Sequence, residues 1–297
     1  MKLLVIFNPN AANGRAKKLV PVIRQYLADH SVAADFQFTK SASHGSQLTA
    51  EANLAGYDGV VAAGGDGTLF EVLNGLYRQA AEARPPLGVL PIGTGNAFSN
   101  DLGLVPGQWQ QALDLILRQN VRQVDVGQVT AADEEYYFLN IVGIGLPVDA
   151  GLTAKKLKFL GNRAYTLGTL WRVLGLRSYP LRLEIDGEVI EQDNVFVEVS
   201  NSRYTGTKFL IAPHAEIDDG LLDVTLVQKL SRLRVLKLFP SVYSGRHLEY
   251  EEVTTYKARQ IRIASPEGML MAPDGEFAGH TPAEIRCLHR ALSIFRN

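Results

Sequence analysis

Gly64-Gly65-Asp66-Gly67-Thr68-Leu69-Phe70-Glu71, running on into Val72-Leu73-Asn74-Gly75-Leu76, decides how the first half of the chain folds. Ahead of it, Asp58 to Ala63 (DGVVAA) is a short apolar, β-branched run that reads as a buried strand. Behind it a helix begins, with Leu69, Val72, Leu73 and Leu76 recurring at i, i+3, i+4 and i+7 as one apolar face. Thr68 and Glu71 hold the S/T-x-x-E spacing of a capping box, in which the Thr hydroxyl takes the Glu71 N–H and the Glu carboxylate reaches back. Glycines between strand and helix let the backbone turn sharply and bring its N–H groups close to a ligand. A helix N-terminus with bare N–H groups attracts anions, phosphate above all. Asp66 inside such a cradle repels phosphate unless a cation lies between them, which points to Mg²⁺, a hard ion suited to carboxylate and phosphate oxygens. The string is neither a Walker A loop nor G-x-G-x-x-G, and an ordinary strand-to-helix turn is the competing reading.

Outward from this stretch the same alternation repeats. Leu3 to Phe7 reads as a first strand, followed by the polar loop Asn8-Pro9-Asn10-Ala11-Ala12-Asn13-Gly14-Arg15 and a helix from about Ala16 to His30. Asp35 to Thr39 is a second strand, with a helix from Ser41–His44 toward Asn53. Leu87 to Ile92 is a fourth strand, ending in a second glycine loop, Gly93-Thr94-Gly95-Asn96, and Leu113 to Arg118 closes the last helix. Strand, helix, strand, helix gives a parallel α/β domain over residues 1–123, binding its ligand at the strands' carboxyl ends. From Val124 the runs VDVGQV, YYFLNIV, LRLEI, NVFVEV, LLDVTLV, QIRIA and ALSIF are strand-like, which makes residues 124–297 a β-rich sandwich of two packed sheets.

The 297 residues suit two domains, and 46% hydrophobic with 21% charged residues is an ordinary globular composition. A net charge of −1 gives no bias toward nucleic acid. The single cysteine, Cys287, excludes an internal disulfide and reads as a buried reduced thiol. Met1 to Phe7 reads as a strand and not a signal peptide, and no apolar run approaches the ~20 residues that span a bilayer, so a cytoplasmic protein without a transmembrane segment is expected. The six histidines show no metal-ligand spacing.

One segment departs from the rest. Between Asp149 and Glu184 there is no acidic residue, while Lys155, Lys156, Lys158, Arg163, Arg172, Arg177 and Arg182 lie among apolar and aromatic residues that include Trp171. Such a segment suits an anionic membrane surface, or else a helix packed on the β domain with a solvated basic face. A second acid-free stretch, Lys229 to His247, carries Arg232, Arg234, Lys237 and Arg246, and together they imply a polarised surface.

GGDGTLFEVLNGL, NPNAANGRA, PIGTGNAF, VDVGQV, YYFLNIVGIG, NSRYTGTKFLIAPHAEIDDGLLDV and MAPDGE, in their order along the chain, resemble the diacylglycerol kinase catalytic-domain family, which includes bacterial lipid kinases and the sphingosine and ceramide kinases. The likeness covers essentially the whole chain. GGDGT alone is shared with NAD kinases and phosphofructokinases, whereas the full succession of motifs is specific. The resemblance implies a two-domain kinase holding ATP between an α/β and a β-sandwich domain. It places nucleotide contacts at Asn8, Asn10, Gly14, Thr39, the loop Gly65, Asp66, Gly67, Thr68, Leu69 and Glu71, and Thr94. It sets Asp66 by the catalytic Mg²⁺ with Asp125 in the surrounding acidic network, and a second, structural Mg²⁺ on Asp219 and the carbonyls of Glu216 and Leu221. Oxygen-only ligands on a tight turn suit such an ion, although Asp-Gly is also an ordinary β-turn.

Two D-G-E strings occur. Asp186-Gly187-Glu188 lies between alternating runs and reads as a tight hairpin, while Asp274-Gly275-Glu276 matches the family's catalytic position, with Glu276 as general base and Asp274 as its partner. The chain departs from the family at Ala97, where an acid commonly follows G-T-G-N and Asp101 is the substitute at hand, and at Ala12, where glycine is common. The expected function is an ATP- and Mg²⁺-dependent lipid kinase acting on a lipid hydroxyl at a membrane surface, with peripheral membrane association and no nucleic-acid partner; a homodimer is compatible with it. The alternatives are a kinase of a soluble small molecule of the NAD kinase type, and a catalytically silent nucleotide- or membrane-binding protein.

Overall fold

The computed structural model describes residues 1–105, 107–132, 134–156, 164–206 and 208–297, and at 155, 156, 164 and 165 the backbone alone. The chain divides into two units, Met1–Val124 with Arg290–Asn297, and Asp125–His289.

In the first unit β1 (Lys2–Phe7), α1 (Val20–Asp29), β2 (Ala33–Phe38), α2 (His44–Glu51), β3 (Gly59–Gly64), α3 (Asp66–Leu76), β4 (Leu87–Pro91), α4 (Ala97–Asp101) and α5 (Trp109–Leu117) follow in order. The strands pair in parallel as β2-β1-β3-β4, with Val5 opposite Phe36 and Val61, and Ala62 opposite Val89. Leu3 to Phe7 and Val60 to Ala63 are buried throughout, the continuous apolar pattern of strands covered on both faces. Leu69, Val72, Leu73 and Leu76 are buried as their spacing predicts. The helix expected from Ala16 begins with a 3₁₀ turn, Arg15–Leu19, and becomes α-helical only at Val20. Pro21 is the cause: it has no N–H to donate to an earlier turn, so it belongs near the start of an α-helix.

The second unit contains β5 (Val121–Ala131, entering from the first), β6 (Glu134–Phe138), β7 (Ile141–Gly145), α6 (Leu146–Lys156), α7 (Ala164–Leu174), β8 (Tyr179–Ile185), β9 (Glu188–Ser200), β10 (Tyr204–Thr205), β11 (Phe209–Leu210), β12 (Leu222–Gln228), α8 (Arg232–Leu238), β13 (Val253–Ala258), β14 (Gln260–Ala264), β15 (Met271–Pro273) and the start of β16 (Ala283–Phe295), whose last residues belong to the first. The long strand β9 pairs β8 along Glu188–Asn194 and β7 along Phe196–Ser200, with β12 on its other edge, so one strand serves both parts of the β-rich layer. Inward-facing Val142, Ile144, Leu183, Val197, Val199, Val224, Ile261 and Ile285 form its core. Asp186 and Gly187 close the β8–β9 hairpin with φ of 45° and 94°, the left-handed pair of a tight turn.

Two expectations change here. The second domain, expected to run to residue 297, ends at His289, because the last eight residues belong to the first unit. There Ile294 pairs in parallel with Leu87, and the Phe295 ring fills the space over Gly59, where a Cβ would stand 2.7 Å from it. The run YYFLNIV splits into β6 and β7, because the N–H groups of Leu139, Asn140 and Ile141 turn to a carboxylate, that of Asp274.

Candidate active site

In the order β2-β1-β3-β4 the chain leaves β1 toward one edge and β3 toward the other, so the loops after β1 and β3 part above the sheet. Such a switch point is where α/β sheets hold ligands. Here Asn8, just past β1, donates its Nδ2–H to Thr68 Oγ1, 3.1 Å away at the start of α3, and its own N–H to Ala63 O at 2.9 Å. Asn8 Oδ1 accepts the Asn10 N–H at 3.0 Å, and the loop then runs through Ala12, Asn13 and Gly14 at φ 51°, 57° and 81°. The left-handed backbone of Ala12 carries a strain of ~1–2 kcal/mol. Thr39, buried at the end of β2, donates its N–H to Phe7 O at 2.9 Å.

The two glycine loops lie back to back. A Cβ on Gly93 would come within 2.3 Å of Gly65 Cα, so this approach admits only glycine. Asn96, at φ 62°, brackets Gly93 from below, with Oδ1 accepting its N–H at 3.2 Å and Nδ2 donating to its carbonyl at 2.9 Å. Thr94 stays exposed at the tip. Asp66 Oδ1 accepts the Ala97 N–H at 2.6 Å, so the carboxylate of one loop holds the start of the helix after the other. Its Oδ2 lies 2.3 Å from where a Gly95 Cβ would be. Withdrawal from water pushes the Asp66 pKa up to about 6, although the N–H groups of Ala97, Asn96, Phe98 and Asp66 itself pull the other way. Among the described residues no Lys or Arg pairs with Asp66, so a carboxylate neutralised by dipoles alone fits a divalent cation better than it fits bare phosphate. Ala97 contributes its backbone here and no acid, and Asp101 ends α4.

The expected capping box is not formed. Gly65 caps α3 and Thr68 lies inside its first turn, because Asp66 and Gly67 are already helical. Glu71 instead accepts the N–H groups of Ser43 at 2.7 Å and Gly45 at 2.8 Å, and so caps α2. Leu69 is buried with the core face and offers only its backbone.

In the second unit a buried polar web joins the remaining candidates. Asp274 and Gly275 turn at φ 48° and 81°, and the Glu276 N–H donates to Pro273 O at 2.8 Å. Asp274 Oδ1 accepts from Asn140 N and Ile141 N at 2.8 and 3.0 Å, and Oδ2 from Leu139 N at 3.0 Å. Its carboxylate is thus spent on backbone, while Glu276, the other acid of this hairpin, is half-buried. Asn140 O accepts the Asn201 N–H at 2.7 Å, and Asn201 Nδ2 donates to Asp125 O at 3.1 Å. Asp125, fully buried, accepts the Gly220 N–H at 2.6 Å and faces His289 Nδ1 at 2.9 Å. Asn96, Asn140 and Asn201 escaped sequence reasoning; only the Gly93-to-Asn96 spacing, an Asn able to bond the backbone three residues back, could have signalled one of them.

At Asp219 an ammonium competes with the expected ion. A second Mg²⁺ was expected there with the Glu216 and Leu221 carbonyls, but Lys257 Nζ lies 2.9 Å from Asp219 Oδ2, 3.6 Å from Asp223 Oδ2 and 3.2 Å from His214 O. Asp219 Oδ1 accepts the Leu221 N–H at 3.0 Å. Lys257 stands directly opposite Asp223 in the β12–β13 register, so strand pairing delivers an ammonium where the ion was expected. Burial alone would lower its pKa, and the Asp219 and Asp223 carboxylates hold it raised. The residues present do not fit a resident divalent ion beside this lysine. A chelator is therefore expected to leave the wild-type Tm unchanged, while Lys257→Met, which strips two carboxylates of their cation, lowers Tm and becomes responsive to millimolar Mg²⁺. A wild-type Tm that falls with chelator contradicts this. Nearby Cys287 is a free thiol that burial, with the Asp125 and Asp219 charges, pushes up to about 12, hence unreactive.

Residues 2–129 match the diacylglycerol kinase catalytic domain, and residues 140–296 the YegS C-terminal NAD kinase beta sandwich-like domain. The chain is 31% identical over 298 residues to a diacylglycerol kinase of Mycobacterium tuberculosis, covering 99% of this chain and 95% of that one. It is 28% identical over 292 residues to a diacylglycerol kinase of Bacillus subtilis, covering 98% and 94%. A crystal structure of a diacylglycerol kinase from Bacillus anthracis superposes with a TM-score of 0.82 at 31% identity, over 100% of this chain and 97% of that one. The glycine-loop switch point, the late Asp-Gly-Glu hairpin and these full-length likenesses agree that the chain belongs to the diacylglycerol kinase catalytic-domain family.

Proposed function

We propose that the chain is an ATP- and Mg²⁺-dependent lipid kinase that moves the γ-phosphoryl group onto a lipid hydroxyl. The loops after β1, β3 and β4 would hold the nucleotide, with phosphate at the bare N-terminus of α3. Asp66 would hold Mg²⁺, whose contribution would be to neutralise charge on the transferring phosphoryl group. Glu276 would take the acceptor's proton, and Asp274 holds the hairpin that presents it.

The observation that carries the lipid assignment is an apolar cavity of about 70 Å³ in the second unit, walled by Leu146, Phe196, Phe209, Val235, Leu238 and Phe239 among others. This is below the several hundred Å³ that enclose a whole ligand, so it takes a segment of hydrocarbon chain. Above it α7 is inverted relative to an ordinary surface helix. Leu167, Leu170, Trp171 and Leu174, at i, i+3, i+4 and i+7, are all exposed, Trp171 to 68% and Leu174 to 60%, and Leu233 on α8 to 80%. A lipid surface is the environment in which such a stripe is buried. ATP turnover that rises on addition of short-chain diacylglycerol tests the assignment; phosphorylation of NAD⁺ without lipid contradicts it.

The docking face is apolar more than basic. Arg172 folds back onto Asp149 O at 3.2 Å and Thr153 Oγ1 at 2.8 Å, Arg234 pairs with Glu252, Arg246 with Glu249 and Arg182 with Glu191. These pairs cancel much of the polarity expected of the two acid-free stretches, while Arg177, Arg232 and Lys237 remain exposed. Lys158 and Arg163 lie outside the described residues. Trp171→Ala with Leu233→Asn is therefore expected to weaken vesicle binding at least tenfold, since each large apolar side chain contributes roughly 1.5–3 kcal/mol. Sedimentation should show most of that loss at both low and high salt; unaltered binding contradicts the assignment of this face.

A further inference from the structure

A carboxylate on α3 holds the loop that follows β2. Thr39 ends β2 with its N–H on Phe7 O at 2.9 Å, and Lys40 donates its N–H to His44 Nδ1 at 3.0 Å, which folds the loop toward the start of α2. Ser43, at φ 63°, and Gly45 then donate their N–H groups to Glu71 Oε1 and Oε2, 2.7 and 2.8 Å away. The fit is close. A Cβ on Gly45 would stand 2.6 Å from Glu71 Oε2, and one on Gly75, a turn further along α3, would stand 2.6 Å from Ser46 O. Three residues before Glu71 on the same helix, Thr68 Oγ1 accepts the Nδ2–H of Asn8, the residue after Phe7. These contacts close a ring: Thr39 to Phe7, Asn8 to Thr68, and Glu71 back to the loop that Thr39 begins.

The resemblance to the family puts nucleotide contacts at Thr39, Thr68 and Glu71 alike. The geometry separates Glu71 from the other two. Both oxygens of its carboxylate already accept backbone N–H groups, and such bonds to an ionised acceptor are the strong kind. Its charge would also repel a triphosphate brought against it. What a carboxylate so engaged supplies is order in advance: a loop already fixed does not have to be ordered when the nucleotide binds.

We propose that Glu71 is a positioning residue for the nucleotide site, which fixes the loop 39–45 against α3 and touches no part of the nucleotide. The inference rests on the nucleotide-binding part of the kinase reading and not on the identity of the acceptor.

The test measures the equilibrium affinity for MgATP and for its 2′-deoxy analogue, with kcat and Tm alongside. Glu71→Ala leaves two donors without their acceptor and frees the loop, so both Kd values should rise by the same factor, about tenfold, the size of one net hydrogen bond. The KM for ATP should rise with them while kcat changes less than about threefold. Glu71→Gln keeps one acceptor and should give a smaller rise, again equal for the two nucleotides. Gly45→Ala, at a position to which no nucleotide contact is assigned, drives a Cβ into the carboxylate and should copy Glu71→Ala. Added to Glu71→Ala it should cost little more, because the two changes break one contact. A loss of affinity in Glu71→Ala that is larger for ATP than for the deoxy nucleotide shows a ribose contact and overturns the proposal. Unchanged affinity for both at a lowered Tm also overturns it, since Glu71 is then a helix cap and no more. Should Glu71→Ala fail to fold, Glu71→Gln and Gly45→Ala decide. A wild type that binds MgATP but phosphorylates no lipid removes the lipid-kinase reading while the affinities still decide this one; a wild type that binds neither nucleotide overturns both.

Discussion

Asp66→Asn is expected to lower phosphoryl transfer roughly 1,000-fold or more, the scale of removing an electrostatic group aimed at developing charge, while Tm moves little. The carboxylate joins the two glycine loops through the Ala97 N–H, and an amide oxygen in the same place still accepts that bond. What the amide lacks is the charge that draws a divalent cation between Asp66 and the phosphates. The substitution also adds an N–H pair against Gly95, where the packing is close enough to exclude a Cβ but not an atom the size of Oδ2. Steady-state turnover at saturating Mg²⁺, with Tm alongside, checks this. Near-normal turnover would reduce Asp66 to a strut between loops, and a collapse of Tm would make the lost activity a folding effect.

Glu276→Gln is expected to lower kcat at least ~100-fold with the KM for ATP nearly unchanged, as befits a group that takes the acceptor's proton only as attack proceeds. Asp274→Asn should behave differently. Its carboxylate accepts three backbone N–H groups, from Leu139, Asn140 and Ile141, and an amide cannot serve all three. One orphaned buried donor costs roughly 1–3 kcal/mol, so Tm should fall by several degrees, and turnover should fall with it because Asp274 anchors the hairpin that carries Glu276. Asp274, expected as the partner of Glu276, would thus act by holding the hairpin through its backbone. If Glu276→Gln keeps its kcat while Asp274→Asn is inactive at unchanged Tm, the two roles must be exchanged.

The parallel sheet was legible because its strands are continuous apolar runs and its loops carry Gly, Asn and Pro at the carboxyl ends. These are local signals, and β1 to β4 follow them closely. The apolar face of α3 was legible for the same reason, whereas its cap was not. Thr68 and Glu71 have capping-box spacing, but Glu71 serves α2, a partner 26 to 28 residues away in sequence. The C-terminal strand's return to Leu87 is invisible in the sequence, since ALSIF reads as a strand with either neighbour. The Asp219 turn was found by its residues, but its Lys257 neighbour was not, because Lys257 reaches it across β12 and β13 and no spacing rule links the two. Glu198 was passed over inside the strand run NVFVEV. Alternation would put every second residue of that run in solvent, whereas the structure buries Glu198.

The most direct measurement of the central claim uses ATP labelled at the γ-phosphate, a total lipid extract in mixed micelles, and mass identification of the labelled product. The wild type should transfer label to the lipid phase as a phosphomonoester of an acylglycerol, and neither Asp66→Asn nor Glu276→Gln should do so above ~1% of the wild-type rate, in line with the losses expected of each group. Label that appears only in a water-soluble acceptor such as NAD⁺, or lipid labelling that survives both substitutions, would contradict it.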